Sequence, residues 1–78
     1  MSTIKNEEYI IAFGANLRKI RQSKKLTCAD LEELTSIDEK QIARLERGER
    51  GPNISTIYAL AKGLGIQPYK LFQFEFKD

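Results

Sequence analysis

A chain of 78 residues with a formal net charge of +2 has room for one small domain, and that charge alone is too small to indicate nucleic-acid binding. One cysteine and no histidine exclude an intrachain disulfide and the usual zinc sites, and a lone thiol suits a reducing compartment. Because no segment approaches the roughly 20 apolar residues of a membrane span, we expect a bacterial, cytoplasmic, all-α protein without metal, cofactor or small-molecule ligand.

The predicted elements begin with an arm at residues 1–8 and helix 1 at about 7–24. Helices 2 and 3 are expected at about 28–35 and 39–47. Each is preceded by a capping residue, Thr27 for helix 2 and Asp38 for helix 3. Asp30 and Gln41 follow these caps at the spacing of capping boxes. The apolar residues expected to form the shared core are Ile10, Phe13, Leu17, Ile20, Leu26, Leu31, Leu34, Ile37, Ile42 and Leu45.

Gly48 is expected to end helix 3, and a loop follows to Pro52. Asn53 would cap helix 4, which Gly65 ends, and Pro68 would open helix 5. The inward residues of helix 4 would be Ile54, Ile57, Leu60, Ala61 and Leu64. Two short helices joined by a turn between Leu26 and Gly48 are typical of a helix-turn-helix unit, which places its second helix in the major groove of DNA.

The C-terminal tail, residues 73–78, continues an alternation of aromatic and polar residues that begins at Phe72. Phe72, Phe74 and Phe76 follow the period of a β-strand. These aromatics could cover the core of their own chain or pair with a second copy. Because a lone strand has no partner in a helical domain, we favour a dimer interface with a short C-terminal strand.

Charge is segregated along the chain more strongly than the net value suggests. Five basic residues and no acid lie between Arg18 and Lys25, and five acids and no base lie between Cys28 and Glu39. One sign could face DNA and the other point away from it. Solvated helix faces with charge pairs between them explain the same runs.

The chain resembles the lambda-repressor-like (Xre-family) helix-turn-helix domain from Phe13 to about Phe72. The resemblance is carried by three segments: F-G-x-x-L-R-x-I-R over residues 13–21, L-E-R-G over 45–48 followed by Pro52, and L-A-K-G-L-G-I over 60–66. It implies a single five-helix domain over 1–78 that binds a double-stranded operator as a homodimer and regulates transcription. The phage-type repressors, restriction–modification controllers and antitoxins of this family are not separated by the sequence.

The resemblance assigns side chains to DNA. Those expected to read bases on helix 3 are Glu39, Lys40, Gln41, Ala43 and Arg44. Arg44 suits the O6/N7 edge of guanine and Gln41 suits adenine. Those expected at the phosphates are Arg18, Thr27, Cys28, Arg47, Arg50 and the backbone of Asn53, with Lys19 as a further possibility.

The resemblance also implies a partly buried ion pair between Arg21 and Glu46. Two positions depart from the family pattern: Glu32 stands where alanine is usual, and Ser36 where the turn usually has glycine. A glutamate cannot be buried unpaired, so helix 2 would be rolled or Glu32 would point outward. Ser36 implies a turn without a left-handed residue, or a modestly strained one.

Two other functions compete with DNA binding. A protein–protein interaction module on the same scaffold is supported by the acidic helix 2 and the Phe-rich tail. An enzyme is not supported, because the adjacent acids Glu32-Glu33 and Asp38-Glu39 do not share a helix face and no nucleophile motif accompanies them. Cys28 at a helix N-terminus could also act as a redox switch if its thiolate were favoured there.

Overall fold

The computed structural model describes residues 6–77, which form four α-helices and one 3-10 helix. The α-helices are α1 (Glu7–Ser23), α2 (Cys28–Thr35), α3 (Glu39–Glu46) and α4 (Ile54–Leu64), and the 3-10 helix is Pro68–Phe72. The all-α class is confirmed, with bounds close to the predicted ones. Among the helices of residues 6–77, none combines the length and the apolar character needed to span a lipid bilayer. Part of the predicted arm, residues 1–5, lies outside the described residues.

The prediction of five α-helices with a C-terminal strand is wrong. The fifth helix is a 3-10 helix, in which Lys70 N donates to Gln67 O (3.0 Å). A segment of five residues is too short to nucleate a stable α-helix on its own. No strand occurs in the tail as far as Lys77, since its alternating aromatics pack on α1 instead of on another strand.

Side-chain caps fix where the helices begin. The Asn6 Oδ1 accepts a hydrogen bond from Tyr9 N (2.8 Å) at the start of α1, and Asn53 caps α4 in the same way. The capping box of α2 is confirmed, because Thr27 and Asp30 exchange side-chain and backbone bonds of 3.0 and 2.9 Å. Asp38 caps α3 through Lys40 N (2.7 Å). A hydrogen bond between the Gln41 side chain and Asp38 N is not among the hydrogen bonds of residues 6–77. The prediction of a second capping box at α3 is therefore wrong.

One core joins all the helices. Its buried residues are Phe13, Leu17, Leu31, Ile42, Leu45, Leu60, Ala61, Leu64 and Leu71. Two residues predicted to lie inward do not: Leu34 is 54% exposed and Ile54 is 85% exposed. Residues 53–55 at the start of α4 are all exposed, and α2 is so short that Leu31 alone is buried in it.

α1 and the end of α3 approach each other at two glycines. A methyl group at buried Gly14 would lie 2.7 Å from the carbonyl oxygen of Glu46. Gly48 has a φ of 76°, as expected for the end of a helix, and its backbone lies against Ile11. These contacts set the position of α3 from the side of α1.

Candidate nucleic-acid interface

α2, a three-residue turn and α3 form a helix-turn-helix unit whose turn is built from side-chain and backbone bonds. The Thr35 hydroxyl donates to Leu31 O (2.7 Å) and accepts from Ile37 N (3.1 Å). Ser36 N donates to Glu32 O (2.7 Å), and Ser36 has a φ of 64°. The strained form of the turn is therefore the one observed, since φ is positive at a residue with a side chain.

Glu32 points outward instead of into the core. Its carboxylate accepts a hydrogen bond from Glu39 N (2.9 Å) at the first turn of α3. A carboxylate there satisfies an otherwise free backbone N–H and is favoured by the helix dipole. The residue that departs from the family pattern thus caps the next helix, and α2 keeps Leu31 in the core.

The outward face of α3 carries Lys40 and Arg44. Ile42 and Leu45 are buried on the opposite face, and residues four apart lie side by side on a helix. Both basic side chains are exposed, and neither takes part in the ion pairs found in residues 6–77. They are free to meet an anion or the acceptor edge of a base. Ala43 is half-buried beside them, and exposed Glu39 lies one residue before Lys40.

Gln41 lies on a different side of α3, in a groove that also contains Arg50 and Asn53. The groove has a volume of about 370 Å³ and is bordered by the loop before α4 and by Thr56. The Asn53 side chain accepts from the backbone N–H of Thr56 (2.8 Å) and from its hydroxyl (2.9 Å). The Asn53 side chain is therefore occupied, and the phosphate contact through its backbone stays a prediction.

Arg47 is engaged within its own loop. Its Nε donates to the Glu49 carboxylate (2.5 Å), and both side chains are more than half exposed. The hydrogen bond to Glu49 raises the pKa of Arg47, and the same bond lowers the pKa of Glu49. A phosphate contact by Arg47 would require it to exchange this partner.

Arg21 joins α1 to the end of α3. Its guanidinium donates from Nε and Nη2 to the two carboxylate oxygens of Glu46 (2.6 and 2.9 Å), and from Nη1 to Leu26 O (2.8 Å). The side chains are only 12% and 6% exposed. The bond to Glu46 raises the pKa of Arg21, against the smaller opposing effect of burial. Such a bidentate pair fixes orientation as well as distance.

The start of α2 carries Thr27 and brings Cys28 near Arg18. The Thr27 hydroxyl is occupied by the capping box, and Cys28 is half-buried against the core. Burial is the largest effect on the Cys28 pKa and raises it, although nearby Arg21 and Arg18 act to lower it. Burial therefore acts against the favoured thiolate that the redox hypothesis requires.

Aromatic residues at the end of the 3-10 helix and in the tail contact α1 of their own chain. Phe72 packs on Phe13, and Phe74 and Phe76 pack on Tyr9, with ring centroids 5.0–5.2 Å apart. Phe72 keeps an exposed fraction of 41%. Sequence analysis missed Tyr9, although its place one turn before Phe13 on the same face of α1 was a usable signal.

Asn16 was also missed, and no sequence signal marked it. Its side-chain amide donates to Lys70 O (3.2 Å) and Leu71 O (2.9 Å), which fixes the 3-10 helix against α1. Lys19, considered for phosphate contact, lies beside this junction with Lys24 and Lys70. It is therefore not grouped with the residues on the outward face of α3.

Comparison with known proteins gives consistent similarities. A family model described as a helix-turn-helix domain matches residues 14–75. A helix-turn-helix-type transcriptional regulator of Sinorhizobium fredii is 34% identical over 74% of this chain and 75% of its own length. The helix-turn-helix-type transcriptional repressor RghR of Bacillus subtilis is 40% identical, over 76% of this chain and 44% of its own length. The immunity repressor of Bacillus phage phi105 is 37% identical, over 69% of this chain and 38% of its own length.

A solved structure has the same arrangement of helices. The crystal structure of the restriction-modification controller protein C.AhdI from Aeromonas hydrophila superimposes with a TM-score of 0.79 at 35% sequence identity. The match covers 81% of this chain and 96% of that one. The chain thus spans nearly the whole of one solved relative and less than half of several longer ones.

Proposed function

The chain belongs to the Xre-like family of helix-turn-helix transcriptional regulators, and from that premise we propose that it binds operator DNA as a homodimer with α3 in the major groove. It would control transcription from the sites it binds, in the cytoplasm of a bacterial cell. The proposal includes no catalytic step and no cofactor. The observation that carries it is the outward face of α3, where Lys40 and Arg44 are exposed and unpaired among the residues described.

Base reading is proposed for the same helix. Arg44 would donate two hydrogen bonds to the O6 and N7 of a guanine, the commonest specific contact in the major groove. Lys40, four residues earlier, would reach a guanine or the neighbouring phosphate. Gln41 would form hydrogen bonds with an adenine at the edge of the DNA major groove. Glu39 would accept a hydrogen bond from a cytosine amino group, and Ala43 would offer only its methyl group.

Phosphate contacts are proposed on both sides of α3. On one side lie Arg18 and the N-terminus of α2, where Cys28 presents a backbone N–H group. Thr27, whose backbone N–H donates to Asp30, would have to exchange that partner to contact a phosphate. On the other side lie Arg50, the Asn53 backbone and, after leaving Glu49, Arg47. Such contacts orient a protein on the duplex without reading its sequence.

The proposed homodimer rests on exposed apolar side chains of the 3-10 helix and of α4, two elements that pack against each other. Phe72 is 41% exposed, and Ile54 and Tyr58 on the neighbouring α4 are 85% and 61% exposed, one turn apart. Phe74 and Phe76 would support this surface through their packing on Tyr9. A two-fold dimer would present two copies of α3 to half-sites about 34 Å apart, one turn of DNA.

Selection of bound sequences from a random duplex library tests the proposal. We expect a palindromic site from the wild-type protein, and an Arg44→Ala variant should lose the preference at one base pair of each half-site. Each good bidentate contact is worth about 1–3 kcal/mol of discrimination. Lys70→Ala, a change of an exposed lysine on the 3-10 helix beside Lys19 and Lys24, is the matched control and should leave the selected site unchanged.

The alternative, a protein–protein interaction module, is favoured by one observation. Beside α3 lies a groove whose residues include Glu32, Glu33 and Glu39 and no basic side chain, a surface that would repel phosphate. A folded wild-type protein that enriches no sequence in the same selection would rule out the operator-binding proposal and favour this alternative.

A further inference from the structure

A second basic surface lies between α1 and the 3-10 helix. Its charged residues are Lys19, Lys24 and Lys70, and none of its lining residues is acidic. We call it the lysine groove. It has a volume of about 410 Å³, within the range of pockets that hold small ligands or a few side chains.

The lysine groove has an apolar floor and a fixed edge. Ile20 and Ile66 line it, and both are partly buried and packed on the core. The Asn16 amide holds the backbone of Lys70 against α1. The Lys70 ammonium lies 5.7 Å from the centroid of the Tyr69 ring, and none of the three lysines takes part in an ion pair within residues 6–77.

The lysine groove is separate from the outward face of α3. α1 uses Gly14 and Arg21 to contact α3, whereas Asn16 and Ile20 lie towards the 3-10 helix. α3 and the lysine groove therefore lie on different sides of α1. The isoleucine floor of the lysine groove also suits an apolar side chain, which a row of phosphates cannot supply.

From this combination we propose that the lysine groove binds a short acidic segment of a partner protein, with an apolar side chain seated between carboxylates. The lysines would meet the carboxylates, and Ile20 and Ile66 would bury the apolar side chain. The proposal goes beyond operator binding and does not depend on it. It gives the domain a surface, separate from the outward face of α3, through which a second protein would be held at the operator.

The test uses a fluorescein-labelled hexapeptide with two leucines between pairs of glutamates, titrated into the full chain at 0.15 M salt. Fluorescence anisotropy gives the Kd, and amide shifts of the ¹⁵N-labelled protein locate the site. We expect shifts confined to residues 16–24 and 66–73. The Kd should rise about tenfold in the double variant Lys24→Glu/Lys70→Glu, since each exposed pair contributes modestly.

Two controls make the result decisive. The matched double variant Lys62→Glu/Lys77→Glu, which makes the same change of charge outside the lysine groove, should keep the wild-type Kd. A peptide with serines in place of the leucines should bind at least several-fold more weakly. Equal binding of both peptides, shifts centred on Lys40 and Arg44, or displacement of the peptide from the lysine groove by non-operator duplex would each overturn the proposal. A failure of the protein to bind operator DNA would not by itself overturn this proposal.

Discussion

Ser36 carries the clearest local strain in the helix-turn-helix unit. Its φ of 64° lies in the left-handed region, which costs a residue with a Cβ about 1–2 kcal/mol. No side-chain hydrogen bond of Ser36 occurs among those of residues 6–77 to offset this, and the residue is exposed. The strain is tolerated because the turn brings Ile37 against the core and Asp38 to the start of α3.

We therefore expect Ser36→Gly to stabilise the domain by about 1 kcal/mol, a value reduced somewhat by the greater freedom of glycine in the unfolded chain. Urea denaturation followed by circular dichroism measures the change. Lys25→Gly is the matched variant, since Lys25 has a φ of 59° between α1 and α2, and it should stabilise by a similar amount. A Ser36→Gly protein no more stable than wild type would mean that the turn is not strained.

Individual side-chain roles were only partly predictable from sequence. The Thr27 capping box and the Arg21–Glu46 pair depend on fixed spacings or on a family pattern, and both occur in the structure. The outward orientation of the Glu32 side chain depends on its hydrogen bond with the backbone N–H of Glu39, seven residues away. No local sequence pattern predicts this contact. Burial raises the pKa of Cys28, and the extent of burial could not be read from its position at a helix N-terminus.

At the scale of elements, Arg21 and Glu46 determine how α1 holds α3. The pair is nearly buried, and removal of one partner leaves a charge without compensation, at a cost of about 3–5 kcal/mol. We expect Glu46→Leu to lower the free energy of unfolding by roughly this amount. The double variant Arg21→Met/Glu46→Leu should recover much of the loss, because neither charge is then buried.

A double-mutant cycle from urea unfolding gives the coupling between the two side chains. Arg47→Met/Glu49→Leu makes the same changes at the exposed pair and should show a coupling below about 1 kcal/mol. Purely additive effects at positions 21 and 46 would contradict the assigned role of the buried pair.

The bounds of the α-helices were predictable because their signals are local. Caps at Thr27, Asp38 and Asn53 and glycines at 48 and 65 lie within one turn of the ends they define. The 3-10 helix and the tail were not predictable, because their conformation is set by Asn16 and Tyr9 on α1, more than 50 residues away in sequence. An alternation of phenylalanines fits a β-strand as well as it fits an irregular segment packed on a helix, until its packing partner is known.

At the scale of the whole molecule, Phe74 of the tail and Phe72 of the 3-10 helix are expected to differ in their effects on folding and on the proposed dimer. Phe74 is half-buried and packs on Tyr9, whereas Phe72 keeps more exposed surface. We expect Phe74→Ala to lower the free energy of unfolding by about 2 kcal/mol, less than for a fully buried ring. Its dimer dissociation constant should change little.

Phe72→Ala is the matched variant and should weaken dimerisation by about tenfold or more, which corresponds to 1.4 kcal/mol. Sedimentation equilibrium measures the dissociation constant, and thermal unfolding of the dilute protein measures stability. If Phe74→Ala weakened the dimer as much as Phe72→Ala, the tail itself would be part of the interface.

The charge segregation of the sequence becomes three distinct surfaces in the fold. Lys40 and Arg44 lie on the outward face of α3, an acidic groove lies beside it at Glu32 and Glu33, and the lysine groove lies across α1. The sequence revealed the runs of charge but not their directions, since direction depends on the rotation of each helix about its axis. The net charge of +2 therefore describes none of these surfaces.

Contacts within the domain hold α3 at both ends in the absence of a ligand. The Glu32 carboxylate holds its first turn, and the Arg21 guanidinium holds its last through Glu46. The conformational entropy of this helix is therefore lost when the chain folds, and little remains to be lost when a ligand arrives. In calorimetry, association at this face should show a heat capacity change that reflects dehydration of surface alone, without the larger change that accompanies the folding of a disordered segment.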